Sequence, residues 1–211
     1  MPVVFEKKEG TFSIGIWQGT ETMERLLSLA KLTQADQQTW EKFTSMKRKR
    51  EWLTVRVLLK ELCGQSPVPE IRYDEKGKPH IGNGSVVSIS HTKEYVALML
   101  SSSAMAGIDL EMIRPEIELL SKKFLNTEEK NCLPEFNTIE HIHVIWGAKE
   151  VLYKMYGKGG LDFRDHLSTG SFKLSTEGII RAGIHKNDFV RELQLTYLKF
   201  RDMFLVYGDC N

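Results

Sequence analysis

Cysteine is scarce in this chain of 211 residues: Cys63, Cys132 and Cys210 are far apart and odd in number. No CxxC pair and no Cys/His ligand spacing joins them, which excludes a disulfide framework and a structural zinc site. Reduced, unpaired thiols are expected, as in the cytoplasm. Long apolar runs are missing too. No window reaches the roughly eighteen continuous hydrophobic residues of a membrane helix, and Glu6, Lys7, Lys8 and Glu9 stand where a secretory leader would place its apolar stretch. The expectation is a chain with neither leader nor membrane span. Charge of one sign is not in excess: 29 Lys plus Arg meet 28 Asp plus Glu, a formal +1. No global field therefore draws the chain to nucleic acid or an anionic membrane, and any anion binding must be local. Finally, there is no GxGxxG after a strand, no GxxxxGK[ST] loop and no GxSxG elbow. Dinucleotide-fold, P-loop and serine-hydrolase readings fail with them.

What is present is an ordinary globular composition, 41% hydrophobic and 27% charged, enough for one large domain or two small ones sharing a core. Phe12, Ile14 and Ile16 alternate with small or polar neighbours, the period of a half-buried strand. Residues 21–31 read as an amphipathic helix and Thr33 starts a second. A third spans 46–62, with Trp52, Val55, Leu58, Leu59 and Leu62 at helical spacing, closed by Gly64 and Pro67. Gly77, Pro79, Gly82 and Gly84 then punctuate a β-rich region with strands at 86–90, 95–100 and 106–110. A helical stretch follows at 116–132, a stronger helix at 139–156 ends at Gly157, Gly159 and Gly160, and strands return at 170–174, 193–200 and 203–207. Strand, helices, strands is thus used twice, so two similar α+β halves are expected, 1–103 and 104–211.

Three stretches carry chemistry. In Gly107-Ile108-Asp109-Leu110-Glu111, the carboxylates at i and i+2 of a strand point to one face while Ile108 and Leu110 face the core. Such a pair repels itself unless a cation lies between, and oxygen-only ligands suit magnesium, although a solvated sheet edge shows the same spacing. In the helix Trp146-Gly147-Ala148-Lys149-Glu150-Val151-Leu152-Tyr153-Lys154, residues Trp146, Glu150 and Lys154 form a ladder opposite the apolar face. A surface Glu150–Lys154 pair is the plain reading, but Trp146 on the same face suggests that the face is covered. Ser88-Ile89-Ser90-His91-Thr92 sets hydroxyls and an imidazole at a strand end, which suits phosphate or simple hydrogen bonding. The helix start Lys47, Arg48, Lys49, Arg50, with Arg56 beyond, could meet an anionic ligand or solvent.

Taken in order, these pieces resemble the 4′-phosphopantetheinyl transferase superfamily, in its longer, monomeric, two-lobed form. The matching segments are the basic helix 49–59, Gly77-Lys78-Pro79, Ser88-Ile89-Ser90-His91, Gly107 to Glu111, Phe124-Leu125-Asn126-Thr127-Glu128-Glu129, and Trp146 to Glu150 with Lys154. The resemblance covers most of the chain. It implies an α+β fold of pseudo-twofold duplicated halves, each an antiparallel sheet with packed helices, and an active site in the cleft between them. It implies transfer of the 4′-phosphopantetheine group of coenzyme A to a serine of an apo acyl or peptidyl carrier protein, releasing 3′,5′-adenosine bisphosphate. Asp109, Glu111 and Glu150 are implied to hold magnesium, and Lys154 to contact the pyrophosphate. Ser90 and His91 are implied beside the 3′-phosphate, Lys78 and Pro79 on the adenine side, and Arg50, Arg56 or Lys47 as further phosphate charge. Glu150, directly or through a water, is the expected base, with a cation-activated water as its competitor. An acidic carrier is implied to dock near the cleft, with Met112, Phe124 and Leu125 as candidate contacts. The competing reading is a non-catalytic coenzyme A or carrier-binding module, against which all three carboxylates and Lys154 speak.

Overall fold

The computed structural model describes residues 3–64, 69–82 and 84–210. The chain opens with a hairpin of β1 (Val3–Glu9) and β2 (Phe12–Gln18), followed by α1 (Met23–Ala30), α2 (Gln34–Glu41) and α3 (Met46–Cys63). Thr22, Thr33 and Ser45 cap these helices, each side-chain oxygen accepting a backbone N–H of the first turn. Gly64 ends α3 in the left-handed conformation; Pro67, expected beside it, lies outside the described residues. A short hairpin, β3 (Ile71–Tyr73) and β4 (Pro79–Ile81), leads to β5 (Val86–Thr92) and β6 (Tyr95–Ser101). The first sheet runs β1-β2-β6-β5, with every pairing antiparallel.

After a three-residue link the second sheet begins with β7 (Met105–Met112), followed by α4 (Ile117–Phe124), α5 (Thr127–Asn131) and α6 (Thr138–Tyr156). The chain then returns through β8 (Leu167–Thr169), β9 (Glu177–Lys186), β10 (Phe189–Phe200) and β11 (Met203–Cys210). The antiparallel order is β7-β11-β10-β9-β8. The expected duplication is visible in the topology. In β2-β6-β5 and in β7-β11-β10 alike, the first strand pairs with the last and the last with the one before it. Each central pair carries its longest helix, α3 on β2 and β6, α6 on β7 and β11.

The two sheets share a core. Ile14, Ile16, Ala97 and Met99 of the first pack with Ile108, Leu110, Leu205 and Tyr207 of the second. Polar groups close the seam beside it: the hydroxyls of Ser88 and Ser90 on β5 accept the backbone N–H groups of Ile108 and Leu110, both at 3.1 Å. Among the described residues strand β7 pairs with a strand on one edge, and these serines satisfy backbone donors on the other.

Two expected elements differ. The single helix foreseen at 116–132 is broken at Leu125, where the backbone is extended, and restarts through a capping box between Asn126 and Glu129. Residues 170–174, foreseen as a strand, form no regular element, and the chain makes β9 instead, whose Ile180, Ala182 and Ile184 alternate into the core.

Candidate functional site

Strand β7 delivers the two carboxylates as its alternation requires. Ile108, Leu110 and Met112 enter the shared core, while Asp109 and Glu111 face the other way, towards α6. The helix can come this close because two glycines remove side chains from the interface. A Cβ on Gly107 would stand 2.8 Å from the carbonyl oxygen of Val151, and one on Gly147 would stand 2.7 Å from Val206 Cγ2. The close approach at Gly147 is to β11, a packing need. It carries Glu150 and Lys154 to the carboxylate strand.

Lys154 uses that proximity. Its ammonium donates to Asp109 Oδ1 at 2.7 Å and to the Ile108 carbonyl at 2.8 Å. The i, i+4 pair with Glu150 suggested by the spacing does not form within ion-pair distance; the cross-element partner wins. Ser90 adds a third contact, its hydroxyl donating to Asp109 Oδ1 at 3.0 Å. Asp109 is 3% exposed, yet its Oδ2 has no hydrogen-bond partner among the described residues. Burial pushes the Glu111 carboxyl up to about 7, the charges of Asp109 and Glu150 adding to it and Lys154 and Arg114 opposing. Burial likewise raises Glu150 to about 7, with Asp109 adding and Lys154 opposing.

These three carboxylates feel one another's charge, but among the described residues no three Asp, Glu, His or Cys side chains are already drawn together as a cage. The donor chemistry nevertheless fits a hard divalent ion. All donors are oxygens, one buried carboxylate oxygen has no partner among the described residues, and two carboxyls are destabilised as anions by burial and then by neighbouring charge.

A cleft of about 290 Å³ opens beside Lys154, lined from both sheets. Lys78, Pro79 and His91 line it, together with Ser88, Tyr73, Lys76 and Tyr153. Burial holds the Lys78 ammonium below its usual pKa, and no carboxylate among the described residues stands within ion-pair distance of it. Ser90 does not line the cleft, because its hydroxyl is turned inward to Asp109 and Leu110. The basic helix is turned differently from expectation. Lys47 is exposed beside Glu51 at 3.7 Å. Arg50 donates to the Glu21 carbonyl. Arg56 lies flat on Trp52, 3.3 Å from the ring centroid, with Asp36 at 3.5 Å. The arginine that faces the cleft is Arg48, on the same helical face as Glu51, Trp52 and Val55. Knowledge of which flank of α3 meets the first sheet would have singled it out, and the evenly spread charges did not give it.

The covered face inferred from Trp146 is real: its ring stacks on Phe163 with centroids 5.3 Å apart and touches Phe124 at 4.9 Å. Behind it lies a group that spacing did not reveal. Lys149 is fully buried and donates to Glu129 Oε2, Phe124 O and Phe163 O at 2.7 to 2.8 Å, while Glu129 also accepts from Asn126 N and from Thr169 N and Oγ1. The break between α4 and α5 thus serves to aim Glu129 at Lys149. Met112, Phe124 and Leu125, foreseen as docking contacts, are 7%, 2% and 1% exposed and belong to the core; Leu119 and Leu120 of α4 are the outward apolar side chains there.

Fold and site together define a duplicated α+β protein with a cation-lined cleft, beside which Lys154 is bound to a buried strand carboxylate. The 4′-phosphopantetheinyl transferase superfamily matches residues 105–205, and the 4′-phosphopantetheinyl transferase N-terminal domain matches residues 36–101. The chain belongs to this superfamily. It is 33% identical over 117 residues to 4′-phosphopantetheinyl transferase AcpT of Escherichia coli O157:H7, covering 52% of this chain and 59% of the relative. It is 41% identical over 70 residues to AcpT of Salmonella typhi, 32% and 35% of the two chains, and 29% identical over 97 residues to 4′-phosphopantetheinyl transferase HetI of Nostoc sp., 41% of each. The matched region thus spans less than two thirds of each of these relatives. No helix among the described residues is long and apolar enough to cross a membrane.

Proposed function

We propose that this protein transfers the 4′-phosphopantetheine group of coenzyme A to a serine hydroxyl of an apo acyl or peptidyl carrier protein, releasing 3′,5′-adenosine bisphosphate, and that it acts as a monomer of two halves, 1–103 and 104–211. The observation that carries this reading is the union of Lys154 with Asp109 at 2.7 Å, beside an orphaned carboxylate oxygen and at the edge of a cleft supplied with Arg48, Lys76 and Lys78. Such a site has cations for a polyanionic nucleotide, and the attacking hydroxyl would arrive on a second protein. The names and family of the relatives support the same reaction.

Asp109, Glu111 and Glu150 would hold magnesium, which supplies neutralisation of the diphosphate as charge builds on the leaving nucleotide. The remaining steps belong to the chain. Arg48, Lys78 and His91 bind the phosphates and nucleotide from the first half. Lys154 holds Asp109 and offers its ammonium to the pyrophosphate. Glu150, directly or through a water, is the expected acceptor of the proton of the attacking hydroxyl. Incubation of the purified chain with coenzyme A, magnesium and a panel of apo-carriers, followed by intact mass, tests the reading. A carrier gaining one phosphopantetheine with wild type and at least about 100-fold more slowly with Glu150→Gln supports it; full activity in that variant removes Glu150 from the assignment, and modification of no carrier removes the reaction.

A further inference from the structure

The turn between β3 and β4 reaches across the cleft. Lys76 Nζ donates to the Lys158 carbonyl at 2.6 Å. The Lys78 side chain lies over Gly157, where a Cβ would stand 2.7 Å from Lys78 Cδ. Both targets belong to the exit of α6, and Lys76, Lys78 and Pro79 all line the cleft wall. Residues 74–77 are exposed, so no apolar packing fixes the turn.

Its shape is held by one carboxylate. Asp74 Oδ1 accepts the backbone N–H groups of Lys76 and Lys78, each at 2.9 Å. The Asp74 backbone closes the turn with Gly77 N at 2.9 Å and Lys78 O at 3.1 Å, and Oδ2 meets His80 Nε2 at 3.1 Å. These bonds, from His80 first and then from Lys78, hold the Asp74 carboxyl below its ordinary range.

We propose that Asp74 is a positioning residue for coenzyme A, fixing through the backbone of Lys76 and Lys78 the two lysines that the β3–β4 turn presents to the cleft. The inference rests on the coenzyme A reading above. A carboxylate that anchors both amides sets the two side chains in place before the nucleotide arrives, so less ordering remains to oppose binding. Asp74 does not itself line the cleft and acts through the two lysines that do.

The test is titration calorimetry of coenzyme A into the full chain, with KM and kcat from carrier modification, for wild type, Asp74→Ala and Asp74→Asn. Expected are a rise of about tenfold in Kd and KM for coenzyme A in Asp74→Ala with kcat within about twofold, and recovery to within about threefold of wild type in Asp74→Asn, whose amide oxygen still accepts both N–H groups. Thermal midpoints should match across the three, because the turn is exposed. Wild-type affinity in Asp74→Ala, an Asp74→Asn as weak as Asp74→Ala, or a fall confined to kcat would each overturn the role of Asp74 alone. A wild-type protein that binds no coenzyme A would overturn the cleft assignment and this inference together.

Discussion

The ammonium of Lys154 and the carboxylate of Asp109 meet at 2.7 Å across two elements, helix α6 and strand β7, with the Ile108 carbonyl as the second acceptor. The pair ties the helix that carries Glu150 to the strand that carries Glu111, and of the two Lys154 lines the cleft.

Lys154→Met leaves Asp109 without its cation and the cleft without its innermost ammonium. Carrier modification should slow by about 100-fold, read as kcat by intact mass. Lys154→Arg should recover little, because a planar guanidinium cannot reproduce two short contacts made by a compact ammonium. Recovery to wild-type rate in the arginine variant would leave only charge, and not geometry, as the requirement.

The raised carboxyls make stability depend on pH with a definite sign. Glu111 and Glu150 sit at about 7 in the folded chain against an ordinary 4.5, so between these values the folded state binds more protons than the unfolded state. Their contribution is fully present below 4.5 and is lost as pH rises through 7. Magnesium should restore what ionisation removes. The gain in thermal midpoint on replacing a chelator with magnesium should be near zero at about pH 5 and largest at about pH 8; an equal gain at both would place the ion elsewhere.

Arg48 and Arg56 separate the two flanks of α3. Arg48→Ala should weaken coenzyme A binding by about tenfold in calorimetry while barely moving the thermal midpoint. Arg56→Ala should do the opposite, since it removes the guanidinium stacked on Trp52 and paired with Asp36. Equal affinity losses in both would return the helix to the orientation expected from its charges alone.

Lys149→Met strands the Glu129 carboxylate, which is 3% exposed, without its ammonium. Breaking a buried pair from one side costs about 3–5 kcal/mol, a fall of roughly 10 °C in thermal midpoint for a chain of this size. The double variant Lys149→Met/Glu129→Gln should regain part of that loss, because the amide leaves no unpaired charge. A single variant as stable as wild type would mean that the pair contributes nothing to holding α5 and α6 together.

Much of the scaffold was legible in the sequence because it rests on local periods. Alternation placed Asp109 and Glu111 on one face of a strand, and the 3.6-residue repeat gave α3 and α6 nearly their full lengths. β9 was missed although Ile180, Ala182 and Ile184 alternate, since Gly178 and Gly183 interrupt the pattern. The helix break at Leu125 was missed although Asn126 and Glu129 carry the local spacing of a capping box.

The sequence by itself determined most of the longer elements, their order and the residue types that can carry phosphate chemistry, because those follow from spacing along one chain. Tertiary structure alone decided that Lys154 pairs with Asp109 and not with Glu150, that Lys149 is buried, and that Arg48 rather than Lys47, Arg50 or Arg56 meets the cleft. Each choice depends on the distance between elements, and Gly107 and Gly147 set that distance for α6 by letting it lie directly on its sheet.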